Sequence, residues 1–134
     1  MNREQFINYY KSVVEELFEI SDNVVVSAGG ALLMLGLRES TNDLDLDVPE
    51  NTFNAFKNES NVEFFGTKEI VNLNEVVSLH RMEGSIKTVT VDGVCIYSVE
   101  ELISFKKSLI ANPLRNKAKL EQDFSDLEKL EKLI

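Results

Sequence analysis

Ser27-Ala28-Gly29-Gly30-Ala31-Leu32-Leu33-Met34-Leu35-Gly36-Leu37-Arg38-Glu39-Ser40-Thr41-Asn42-Asp43-Leu44-Asp45-Leu46-Asp47 is the stretch on which the fold turns. It opens near a pair of glycines and closes on three aspartates that alternate with leucines. Successive side chains of a β-strand point to opposite faces, so Asp43, Asp45 and Asp47 share one face while Leu44, Leu46 and Val48 share the other. Alternate residues lie roughly 6.5 Å apart along a strand. At that spacing the carboxylates repel one another, yet they can jointly hold a hard divalent cation such as Mg2+. The expectation is a strand with one dry face and one metal-binding face.

The neighbouring sequence supplies the frame. Upstream, Val24-Val25-Val26 is a β-branched run that reads as a buried strand leading into the glycines. Ala31 to Leu35 is built from strong helix formers and ends near Gly36, so strand, glycine turn and short helix are expected in that order. Before them, Phe6, Tyr10, Val13, Leu17 and Ile20 recur at three- and four-residue intervals and predict an amphipathic helix over Arg3 to Ile20, broken by Ser21-Asp22-Asn23. Downstream, Pro49 stops the aspartate strand, and Glu50 to Asn58 is a helix candidate. Short apolar runs at Val62 to Phe65, Ile70 to Leu73, Val76 to His80, Ile86 to Val91 and Val94 to Tyr97 read as strands, with Asp92-Gly93 as a tight hairpin between the last two. Ser98 caps a helix carrying Leu102, Ile103, Phe105, Leu109 and Ile110, which Pro113 ends; Leu120, Phe124, Leu127, Leu130 and Leu133 mark a final amphipathic helix. The fold class expected is α/β (α+β), a mixed sheet with flanking helices.

With 134 residues and 43% hydrophobic content, a single domain over residues 1–134 is expected. No run of about 18 apolar residues and no signal peptide is visible, which predicts a soluble, cytoplasmic protein without a membrane partner. The one cysteine, Cys95, sits among apolar residues and reads as a buried structural thiol. A formal charge of −9 argues against a general grip on nucleic-acid backbone. One stretch runs the other way: Lys106, Lys107, Arg115, Lys117 and Lys119 occur with no acid among them, either as a solvated helix face or as a phosphate-facing wall.

The glycines and the aspartates have a joint chemical use. A turn of small residues at a helix start lets phosphates approach main-chain N–H groups, and carboxylates on the next strand hold the cation those phosphates carry. Cations held in this way activate an attacking hydroxyl and stabilise a leaving pyrophosphate. With Gly29-Gly30, the spacer and Asp43-Leu44-Asp45-Leu46, the chain resembles the polymerase-beta-type nucleotidyltransferase superfamily, and in particular its small stand-alone members. The Arg38 to Thr41 connector is similar to theirs. So is the sequence from Ser98-Val99-Glu100-Glu101-Leu102-Ile103 to Asp123-Phe124-Ser125-Asp126-Leu127, which looks like the C-terminal helices of members found in toxin–antitoxin and phage-defence systems.

The resemblance implies a Mg2+-dependent (alternatively Mn2+-dependent) transfer of a nucleoside monophosphate from a nucleoside triphosphate to a hydroxyl of a protein, an RNA end or a small molecule. It implies Asp43 and Asp45 as catalytic metal ligands and Gly29 and Gly30 as the triphosphate cradle. Ser27 and Thr41 are lesser phosphate contacts, while Arg38 either touches a phosphate or pairs with a neighbouring acid. Asp47, outside the motif, is expected at a strand end or in solvent. The family's third carboxylate is missing: Ser78 stands where an Asp is expected, and His80, the one histidine, is either a substitute base or ligand or a polar strand-end residue. Two further readings follow from that gap and from the aspartates. One is a catalytically degenerate nucleotide-binding or antitoxin-like protein acting with a partner protein or as a homodimer. The other is a calcium or surface feature of an unrelated α+β domain.

Overall fold

A computed structural model describes residues 1–19, 23–59, 61–83 and 86–134. The elements run α1 (Arg3–Leu17), β1 (Val25–Val26), α2 (Ala28–Met34), β2 (Leu44–Val48), α3 (Glu50–Lys57), β3 (Asn61–Phe65), β4 (Lys68–Asn72), β5 (Val77–Arg81), β6 (Thr88–Val91), β7 (Val94–Tyr97), α4 (Val99–Ala111) and α5 (Lys117–Glu131). The strands form one mixed sheet in the order β3-β4-β5-β2-β1-β7-β6. β2 runs parallel to β5 and antiparallel to β1, and β1 runs parallel to β7. The α/β expectation and the element order hold.

The core forms as the alternation dictates. Leu44, Leu46 and Val48 are fully buried, and Phe6, Leu32, Leu33, Phe53, Leu79 and Ile96 join them. Local chemistry sets the boundaries. Asn2 caps α1 in a reciprocal capping box with Gln5, and Ser98 caps α4 by accepting the Glu101 N–H. Asp92 and Gly93 both take positive φ, 49° and 81°, the turn that the Asp-Gly pair favours between β6 and β7. Helix α1 ends at Leu17 because Phe18 goes extended and packs its ring 5.3 Å from Phe56. The expected end at Ile20 and the break at Ser21-Asp22 lie outside the described residues.

Four expectations need correction. The glycines do not precede α2 as a separate turn; they lie inside its first turn, behind Ser27. The final helix is rotated from its expected stripe: Asp123 and Asp126 are buried on α5 beside Leu130, while Phe124 and Leu133 are exposed. On α4 the same happens, with Lys106 buried and Phe105 exposed. Paired charges occupy the inner seam between the two helices and turn part of the apolar stripe outward. Cys95 is half-buried rather than buried. Among the described residues no helix is long and apolar enough to cross a membrane.

Candidate active site

The polar face of β2 is the floor of the site. The register sets Asp45 opposite Ser78 and Asp47 opposite His80 on β5, and Val25 opposite Asp47 on β1. Residues in register share a face. Ser78 therefore occupies the neighbouring strand position beside Asp45, and its Oγ donates to Asp45 Oδ1 at 2.6 Å. His80 Nε2 lies 3.4 Å from Ser78 Oγ and 3.8 Å from Asp45 Oδ1. Burial favours the neutral acid at Asp45, but hydrogen bonds from His80 and Ser78, with the nearby charges of His80 and Lys119, outweigh it and hold the carboxyl below its ordinary value. Asp43, just before the strand, is exposed.

Asp47 is neither a strand-end cap nor a solvent residue. It lies within β2, half-buried, and accepts a hydrogen bond from the Tyr97 hydroxyl, which crosses β1 from β7. Burial raises the Asp47 carboxyl above its ordinary value despite help from Tyr97, His80 and Ser27. Burial and the Asp47 charge push the Tyr97 phenol up as well, so Tyr97 keeps its proton and donates it.

The two glycines do different things. A Cβ on Gly30 would stand 2.5 Å from Phe6 Cζ and 2.7 Å from Val26 Cγ1, so Gly30 lets α2 pack on α1 and β1. A Cβ on Gly29 would stand 2.6 Å from Arg38 Nη1 and 3.4 Å from Thr41 Oγ1, so Gly29 leaves room for the connector to fold over the first turn of α2. The Ser27 N–H donates to the Asp45 carbonyl at 3.1 Å and ties that turn to the aspartate strand. The first N–H groups of a helix lack intrahelical acceptors, which places such donors next to Asp45.

Sequence reasoning missed the second charge cluster. Lys106 Nζ bridges Asp123 Oδ1 and Asp126 Oδ2, both at 3.0 Å; Arg115 grips Asp123 through Nε and Nη2 at 2.7 and 3.0 Å; and Arg38 Nη2 reaches Asp126 Oδ2 at 2.8 Å. Gln122 Nε2 completes Asp126 at 2.8 Å. Burial works against both aspartates being charged, and these donors more than compensate, so both lie below the ordinary carboxylate value. The basic stretch thus divides. Lys106 and Arg115 are structural partners of buried acids, while Lys119 is exposed and its charge acts on Asp45. The signal in the sequence was Asp123 and Asp126, one helical turn apart and 17 and 20 residues beyond Lys106.

Among the described residues no three His, Cys, Asp or Glu side chains gather closely enough to hold an ion alone. Asp43 and Asp45 on alternate positions suit a Mg2+ whose remaining ligands are phosphate oxygens and water, the usual arrangement for that ion. Opposite Asp45 on β5, Ser78 brings a hydroxyl rather than a carboxylate to this face.

No protein-family model matches the chain, and no curated protein matches it significantly. Solved structures do. A "putative nucleotidyltransferase", TM1012 from Thermotoga maritima, superposes with a TM-score of 0.56 at 15% identity, covering 98% of this chain and 96% of that one. JHP933 from Helicobacter pylori superposes with a TM-score of 0.56 at 23% identity, covering 96% of this chain and 67% of that one. The chain is a small protein of nucleotidyltransferase fold.

Proposed function

We propose that the protein transfers a nucleoside monophosphate from a Mg2+-bound nucleoside triphosphate to a hydroxyl acceptor. The observation that carries this reading is the hydrogen bond from Ser27 N–H to the Asp45 carbonyl, which joins the glycine turn to the aspartate strand. A phosphate cradle and a cation-holding carboxylate are thereby adjacent. In this reading the N–H groups at Gly29 and Gly30 receive the triphosphate, with Ser27 and Thr41 hydroxyls beside them. Asp43 and Asp45 hold the Mg2+, which when bound neutralises phosphate charge. The acceptor oxygen forms a bond to the α-phosphorus, the α–β bridge breaks, and pyrophosphate leaves. His80 takes the acceptor proton on its imidazole, with Ser78 and Asp45 fixing its position. The acceptor is a protein side chain, an RNA end or a small molecule.

Ser78 favours a second reading, a descendant that binds nucleotide without transferring it, because a hydroxyl cannot take the acceptor proton as a carboxylate can. Labelled nucleoside triphosphates with Mg2+ or Mn2+ and candidate acceptors separate the two. Transfer is expected, and Asp45→Asn is expected to lower it by at least about a hundredfold. Ligand-dependent thermal stabilisation without transfer supports the second reading, since binding to the folded state must stabilise it. Neither stabilisation nor transfer would falsify both.

A further inference from the structure

Helix α5 carries a second apolar stripe that the fold leaves uncovered. Asp123, Asp126 and Leu130 face the interior, while Phe124, at the middle of this 15-residue helix, is 53% exposed. Leu120 and Leu127, at helical spacings on either side of Phe124, are half-buried and continue the stripe. A groove runs along it, lined by Phe124, Leu127, Glu128, Glu131 and Lys132. The charges at the ends of the stripe oppose the helix that bears them. Lys117 is the first residue of α5, in a first turn that holds no acid, and Glu131 is the last; both are exposed. The start of a helix is its positive end and the finish its negative end, so a cation at the start and an anion at the finish each cost stability. Phe124 stands midway between them, two helical turns or roughly 10 Å from each.

We infer that α5 pairs with the α5 of a second copy of this chain, antiparallel about a two-fold axis at Phe124. Such an axis sets residues equidistant from it against one another. Phe124 then meets its own counterpart, and Lys117 of each copy meets Glu131 of the other. Each Lys117 also gains the negative end of the other helix, and each Glu131 the positive end, so the two residues that oppose their own helix favour the pair. A parallel pair would set Lys117 on Lys117 and Glu131 on Glu131, so the order of charges selects the direction. The same arrangement brings Leu114, 88% exposed just before α5, to the end of the other copy where Leu133 and Ile134 are exposed. A second copy is the occupant because one stripe supplies both halves of each ion pair around a shared apolar centre. The inference uses α5 alone and does not rest on the nucleotidyl-transfer reading.

Sedimentation equilibrium on the full chain tests it. Wild-type protein should be dimeric at about 100 μM, a weak but specific self-association. Phe124→Glu places two like charges at the axis and should weaken the dimer by at least about a hundredfold, the loss expected at the centre of an interface. If Phe124→Glu does not fold, the exposed ends of the stripe carry the test. Lys117→Glu and Glu131→Lys each set like charges against one another in a self-pair, and each should weaken self-association about tenfold. Mixed in equal amounts, these two variants restore both ion pairs and should form a heterodimer as tight as the wild-type dimer. Both substitutions suit the isolated helix, so at dilutions where every protein is monomeric they should melt no lower than wild type, which separates loss of pairing from loss of fold. Wild-type protein that is monomeric at about 100 μM overturns the inference and leaves the face to a different protein. A dimer of wild-type affinity in Phe124→Glu overturns it as well, as do single reversals that fail to recover on mixing.

Discussion

Two clusters of charge lie in this molecule and are built on opposite plans. On the sheet, Asp45 and Asp47 share a face with one imidazole, one serine and one tyrosine, and acids exceed fixed cations. Between α4 and α5, three cations enclose two aspartates, and every carboxylate oxygen there has a donor. The difference shows at Asp47. Asp47 is raised by burial, whereas Asp123 and Asp126 are held down because their donors overcome burial. The helix cluster is satisfied by the protein itself, whereas under the proposed function the sheet cluster takes a cation from outside.

The contrast is open to direct attack. The largest effect is expected from Asp123→Ala, which leaves Lys106 and Arg115 buried without their shared acid; it should cost about 3–5 kcal/mol of stability in urea denaturation. A cost below about 1 kcal/mol would show that the helix cluster is no more committed than the sheet cluster. Tyr97→Phe should be milder, about 1–3 kcal/mol, because it strips a half-buried Asp47 of one hydrogen bond.

The pH dependence separates Asp47 from the helix cluster by sign. Asp123 and Asp126 have folded values below the unfolded one of about 3.9. Their contribution is therefore present above that pH and is lost as pH falls through the folded values. Asp47 is raised, so its charge costs stability at neutral pH and the cost fades as pH falls through its folded value. Asp47→Asn should accordingly gain on wild type at pH 7 and lose that advantage near pH 4, whereas Asp126→Asn should be the weaker protein at pH 7 and converge with wild type in acid. Paired denaturation curves across that range check it. Lys119→Gln is expected to do least, changing stability by no more than about 0.5 kcal/mol.

The same contrast explains what the sequence disclosed. β2 was legible because a period of two in Asp-Leu-Asp-Leu-Asp-Val has one physical solution, and its dry face is fully buried. The Asp92-Gly93 turn and the Ser98 cap were legible because their chemistry is local. The helix cluster was not. Lys106 and Asp123 look like surface residues until α5 folds back on α4, and only their pairing makes burial tolerable. Phe124 fits the apolar period of α5 yet is exposed, because that pairing takes the inner face. The role of Asp47 was hidden likewise, since its partner Tyr97 is 50 residues away in sequence. At Arg38 the sequence allows an acid or a phosphate as partner, and the structure shows the acid, Asp126.

The strand β1 has only two residues, Val25 and Val26, yet it is the piece through which β3-β4-β5-β2 and β7-β6 become one sheet. Each half can gain much of its pairing from nearby sequence, as the β3–β4 and β6–β7 hairpins do. Joining them requires closing long loops onto a two-residue splice, a step with high entropic cost and little local reward. Assembly of the polar face is therefore expected late in folding, with the Tyr97 bond to Asp47 across β1 among the last contacts to form. Time-resolved measurements would then find hairpins protected from hydrogen exchange before the chain has any competent site.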